Sequence, residues 1–140
     1  MNIIKSFEEA FKRAKEKNWE TIYVLVDIHG TVFEPSYHKK ENYEFYPYSR
    51  ETLQLLTKNT GVKLILWSST TKEALQDYIE VFEKNEIHFD YINCNPEVEA
   101  LPTDPNSSDF SSKFYFNVGL DDKFGFEPEK DWERLYNYLG

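Results

Sequence analysis

Apolar positions along the chain alternate between two kinds of run. Phe7, Ala10, Phe11 and Ala14 recur at helical spacing behind Ser6 and Glu9, which have the form of a capping box, and predict a helix over about residues 6–18. Ile22-Tyr23-Val24-Leu25-Val26 is apolar throughout, without the alternation of a half-exposed strand. It predicts a strand buried on both faces that stops at Asp27, with Gly30 marking a turn. Residues 32–48 are aromatic and charged, broken by Pro35 and Pro47, and read as an excursion without a helix. Leu53 and Leu56, with Gly61 beyond them, predict a helix over about residues 50–58. Val62 to Trp67 form a second apolar strand, ended by Ser68-Ser69-Thr70. Thr70 and Glu73 make another capping box, and Ala74, Leu75, Tyr78, Ile79 and Phe82 lay an apolar stripe along the helix behind it. A short strand near residues 89–93 leads into a loop rich in Pro, Ser and Asp over residues 96–112. A fourth strand over about residues 114–120 ends in Asp121-Asp122, and Trp132, Leu135, Tyr136 and Leu139 give a closing helix.

Strands alternating with helices imply an α/β protein, a three-layer α/β/α sandwich with a mainly parallel sheet of Rossmann type. The 140 residues show no internal repeat and no boundary, so residues 1–140 are expected to form a single domain. Ten Tyr, eleven Phe and three Trp supply a core and exclude disorder. The net charge of −9 argues against binding duplex nucleic acid, and residues 97–140 carry most of that excess. No run approaches the roughly 18 apolar residues that span a bilayer, and the opening residues lack the apolar stretch of a leader. A lone Cys94 makes no internal bridge and reads as a small buried hydrophobe. The expectation is a soluble cytoplasmic protein. Oligomeric state is not legible.

Polar residues fall where the chemistry should be. Asp27, Ser68 and Asp121 each follow a buried strand immediately. In open parallel sheets ligands bind outside the carboxyl ends of the strands, so these groups converge on one crevice. The crevice would hold Asp27, Asp121 and Asp122, hydroxyls such as that of Ser68, and the ammonium of Lys113. Carboxylates brought together repel unless something neutralises them, and hard oxygen donors favour Mg²⁺, which binds through one or two carboxylates plus a substrate phosphate. Hydroxyl and ammonium groups suit the remaining phosphate oxygens. Phosphoryl chemistry is the expectation, on a phosphorylated substrate.

At these positions the sequence resembles the haloacid dehalogenase (HAD) superfamily of Asp-nucleophile phosphatases. Its four motifs occur in order over residues 22–122. An apolar strand runs into Asp27-Ile28-His29-Gly30-Thr31, a second ends in Ser68, Lys113 precedes the last strand, and Val118-Gly119-Leu120 runs into Asp121-Asp122. Response-regulator receivers share the residue types but place the acidic pair after the first strand. The resemblance implies that Asp27 attacks phosphorus and carries an aspartyl-phosphate. It implies Mg²⁺ held by Asp27, the carbonyl of His29, Asp121 and Asp122, with Ser68, Lys113 and the amide of Gly30 on the phosphoryl group. Residues 32–48 and 94–112 are too short for the family's cap domains, which implies an essentially capless site.

One position departs from the family pattern. Where its phosphatases have an Asp that works as acid and then base, this chain has His29. Such help is typically worth ~10²–10⁴-fold. Two readings stay open: a phosphohydrolase that uses or lacks His29 as its proton carrier, and a degenerate relative that binds a phosphorylated ligand or a protein partner. His38 and His88 read as surface residues. The aromatic residues between Tyr37 and Tyr48 form either a wall for substrate or packing against the body of the domain or a second subunit.

Overall fold

The computed structural model describes residues 2–33, 44–97 and 115–140. Lys113 lies outside the described residues, as do Tyr37, His38 and Tyr43. Within them the elements run α1 (Ile3–Glu16), β1 (Ile22–Asp27), α2 (Ser49–Lys58), β2 (Val62–Trp67), α3 (Lys72–Lys84), β3 (Tyr91–Ile92), β4 (Val118–Leu120), a 3₁₀ turn (Asp122–Phe124) and α4 (Pro128–Leu139). The four strands form one sheet in the order β3-β2-β1-β4, every neighbouring pair parallel. Four helices flank it, in a Rossmann-like three-layer arrangement. Among the described residues no helix is long and apolar enough to cross a membrane.

The register explains why β1 reads as uniformly apolar. It pairs with β2 along its whole length, Ile22 opposite Val62 through Asp27 opposite Trp67, and with β4 from Val24 opposite Val118 to Val26 opposite Leu120. Ile22, Val24 and Val26 join the main core with Phe7 of α1, Leu53 and Leu56 of α2, Phe82 of α3 and Trp132 of α4. Tyr23, on the other face, gives its hydroxyl to Glu97, which also accepts from Tyr91 and pairs with Lys63.

The outer strands are shorter than expected because side chains take over the ladder. Asn117 donates its backbone N–H to the Tyr23 carbonyl, while its side-chain oxygen accepts the Tyr23 N–H, both at 2.8 Å. The Asp90 carboxylate accepts from the Leu64 N–H at 2.9 Å in the same manner beside β3.

Helix starts shift for comparable reasons. Asn2, rather than Ser6, caps α1, accepting from the Lys5 N–H at 3.1 Å. The earlier start places Ile3 in the core at helical spacing from Phe7, Ala10 and Ala14. Thr71, rather than Thr70, caps α3 by accepting from the Ala74 N–H. The Thr70 N–H instead donates to the Ser68 hydroxyl.

Two side chains differ from or bear on the sequence reading. Cys94 is exposed and not a buried hydrophobe, because it follows the two-residue β3 where the chain has already left the sheet. His88 is exposed and pairs with Glu83 at 2.9 Å. In the described part of the aromatic segment, Phe45 packs on Phe33 and Phe82, and Tyr46 is buried. These two rings pack on the body of the domain.

Candidate functional site

The sheet reverses its order of connection between β1 and β4. β2 and β3 were added on one side of β1, and β4 returns to the other. Since Val26 pairs with Leu120, the residues that follow, Asp27 and Asp121, stand side by side at the carboxyl end of that boundary. Asp27, Asp121 and Asp122 each bring a carboxylate oxygen to within 4.8 Å of the others. Asp121 is buried, Asp27 half-buried and Asp122 exposed.

Thr31 ties this group together, and the sequence reading gave it no role. Its side chain is fully buried, donates to Asp27 Oδ2 at 3.2 Å, and accepts the Asp122 N–H at 3.1 Å. The same hydroxyl lies 3.5 Å from Asp122 Oδ1. Its carbonyl in turn accepts the Trp132 indole N–H at 2.7 Å, which fixes the turn after β1 to α4. Asp27-x-x-x-Thr31 was the available signal, a Thr four residues past a strand-end acid.

Gly30 has a different role from the one expected. Its N–H donates to the Phe33 carbonyl at 3.1 Å, inside a tight turn in which the N–H groups of Thr31, Val32 and Phe33 all point at the Ile28 carbonyl. It is therefore engaged within the chain and does not present a free donor to phosphate. The residue serves by its shape. Its φ is +75°, and a Cβ there would stand 3.1 Å from Asp122 Oδ2.

His29 is exposed, and its Nε2 lies 2.7 Å from the hydroxyl of Tyr78 on α3. Ser68 follows Trp67, the register partner of Asp27, so β2 delivers it one residue beyond the acidic group. Asn93 brackets the Ser68 backbone, accepting its N–H at 2.8 Å and donating to its carbonyl at 2.9 Å. Tyr78 and Asn93 were legible as helix stripe and strand end, but not as partners of the site.

The electrostatics are those of crowded acids. Burial first, and then the charge of Asp121, push the Asp27 carboxyl from an ordinary 3.8 up to about 6, although the Ile28 N–H and the Thr31 hydroxyl act to lower it. Asp121 is raised as well, chiefly by burial, with Asp122 adding to the rise and the Lys123 N–H opposing it. The donors are all oxygen, and two of the three carboxyls resist ionisation as they stand. That set fits a hard divalent cation such as Mg²⁺ and does not suit a thiophilic one.

No family model and no curated protein matches the chain. A solved structure does: that of a conserved protein coded by a locus of Bacteroides thetaiotaomicron, 30% identical, with a TM-score of 0.63 over 85% of this chain and 89% of that one.

Proposed function

The chain belongs to the family of that conserved Bacteroides protein, and for it we propose a Mg²⁺-dependent phosphohydrolase of HAD type that works through an aspartyl-phosphate on Asp27. One observation carries the reading: Asp27 and Asp121 stand side by side where the sheet reverses, with Thr31 bonded to Asp27 and to Asp122. An acid pair at that point, Asp121 buried and Asp27 half-buried, disfavours its own ionisation, and a bound cation reverses that cost.

Asp27, Asp121, Asp122 and the carbonyl of His29 would hold the metal. When bound, Mg²⁺ would offset the charge of the carboxylates and of a phosphoryl group. The steps themselves fall to the protein. An Asp27 oxygen bonds to phosphorus as the ester P–O bond breaks, and water then attacks phosphorus and releases Asp27 as phosphate leaves. Ser68 donates to a phosphoryl oxygen, and Lys113 offsets its charge. The substrate is a phosphorylated compound. We place the reaction in the cytoplasm, where a lone exposed thiol such as Cys94 stays reduced.

An aryl phosphate tests this directly, since its good leaving group needs little protonation. Slow Mg²⁺-dependent release of the phenol is expected, with Asp27→Asn abolishing it while circular dichroism shows the fold retained. Turnover in Asp27→Asn comparable with wild type would exclude the covalent route. A second reading, binding of a phosphorylated ligand without turnover, is favoured by the engagement of His29 Nε2 with Tyr78. Beryllium fluoride binding in the presence of Mg²⁺, with no hydrolysis of any ester, would select it.

A further inference from the structure

Tyr78 is 2% exposed, so its ring belongs to the core while its hydroxyl reaches the site. It stacks on Phe33 at 5.5 Å between ring centres, and Phe33 stacks on Phe82 at 5.4 Å. His29 meets Tyr78 edge to face, the ring planes 88° apart. The phenol packs on Phe33, itself stacked on Phe82, whereas the imidazole stands on an exposed turn. It is His29 that adapts to Tyr78.

We propose that Tyr78 is a positioning residue whose hydroxyl donates to Nε2 and fixes His29 as the Nδ1–H tautomer, so that His29 meets the phosphoryl site as a hydrogen-bond donor and not as a base. The direction of the bond follows from acid strength. A phenol gives up a proton far more readily than a neutral imidazole N–H, and an imidazole nitrogen accepts better than a phenol oxygen. With Nε2 occupied as acceptor, the hydrogen of the neutral ring sits on Nδ1.

The consequence for turnover rests on the phosphohydrolase reading. In the first step the Asp27 oxygen–phosphorus bond forms and the ester P–O bond breaks. The leaving oxygen departs hydrogen-bonded to Nδ1–H and takes its proton from solvent. In the second step water bonds to phosphorus, the bond to Asp27 breaks, and the proton of the water passes to solvent unless a side chain takes it first. An Nδ1–H group does not take it. The second step is therefore the slow one, and the aspartyl-phosphate accumulates.

Two measurements decide this, and the first needs no catalysis. In ¹⁵N-labelled protein, ring-nitrogen spectra assigned against His29→Asn should show Nδ1 protonated and Nε2 bare. Tyr78→Phe, which keeps the packed ring, should move the population toward Nε2–H. A wild-type ring already in the Nε2–H form overturns the proposal, as does a tautomer unmoved in Tyr78→Phe. The wild-type spectrum decides alone if that variant fails to fold. In the second, an aryl phosphate with Mg²⁺ should give a burst of phenol and a protein heavier by one phosphoryl group, absent in Asp27→Asn. Tyr78→Phe should shorten the life of that species about a hundredfold, the low end of the ~10²–10⁴ usual for a proton carrier. Hydrolysis without a burst overturns the proposed slow step. Neither burst nor turnover, with the expected tautomer, removes the phosphohydrolase reading and leaves the assignment of Tyr78 in place.

Discussion

Asp27 is costly to the metal-free protein, and the sign of that cost can be read against pH. Well below pH 4 the carboxyl is protonated in folded and unfolded chains alike. Between about 4 and 6 the folded protein still holds a proton that the unfolded chain has released, because burial and Asp121 raise the native value to about 6. The folded state binds more protons there, so the contribution of Asp27 to stability falls as pH rises through that window, and the full cost applies above it. Asp27→Asn should therefore stabilise the chelator-treated protein at pH 7 and lose that advantage at pH 4, as read by urea unfolding at both values. An equal effect at the two pH values would mean the carboxyl is not raised. The position of Asp27 was legible because a buried apolar strand stops at it. Its bond to Thr31, and that of Thr31 to Asp122, were not, since the second joins residues 91 apart.

At the scale of elements, the hydrophobic pattern placed the four α-helices and four strands of the described residues, and the errors lie at the ends. The capping box at Ser6 is well formed by spacing, yet Asn2 holds the cap, because Ile3 has to reach the core. Asn2→Ala should cost about 1 kcal/mol, and Ser6→Ala distinctly less, since the Ser6 hydroxyl only donates to the Asn2 carbonyl. Thermal midpoints of the two variants distinguish the assignments, and the reverse order would return the cap to Ser6. Side-chain oxygens of Asp90 and Asn117 standing in for backbone acceptors shortened β3 and β4. That substitution leaves no mark in an apolar run. Tyr78 was correctly read as part of the stripe on α3, but which group its hydroxyl meets depends on how that helix lies against the turn after β1.

For the molecule as a whole, the indole of Trp132 joins the turn after β1 to the last helix. Trp132 is fully buried, and its N–H is the donor to the Thr31 carbonyl. Trp132→Phe keeps an aromatic ring but leaves that buried carbonyl without the donor, at a cost of about 1–3 kcal/mol before any loss of packing. A lower urea midpoint at unchanged slope is expected. An unchanged midpoint would mean that α4 is not anchored through the turn.

The same bond spans 101 residues of sequence, and this has a consequence in time. A ribosome adding roughly 5–20 residues per second makes the Thr31 turn about five to twenty seconds before its indole partner. Between the synthesis of β2 and that of β4, β1 has β2 to pair with, but the edge that Val24, Leu25 and Val26 later offer to β4 stays unpaired. An apolar strand with an open edge is a template for pairing with other chains. The newborn protein therefore depends most on chaperone cover in the stretch of synthesis between β2 and β4.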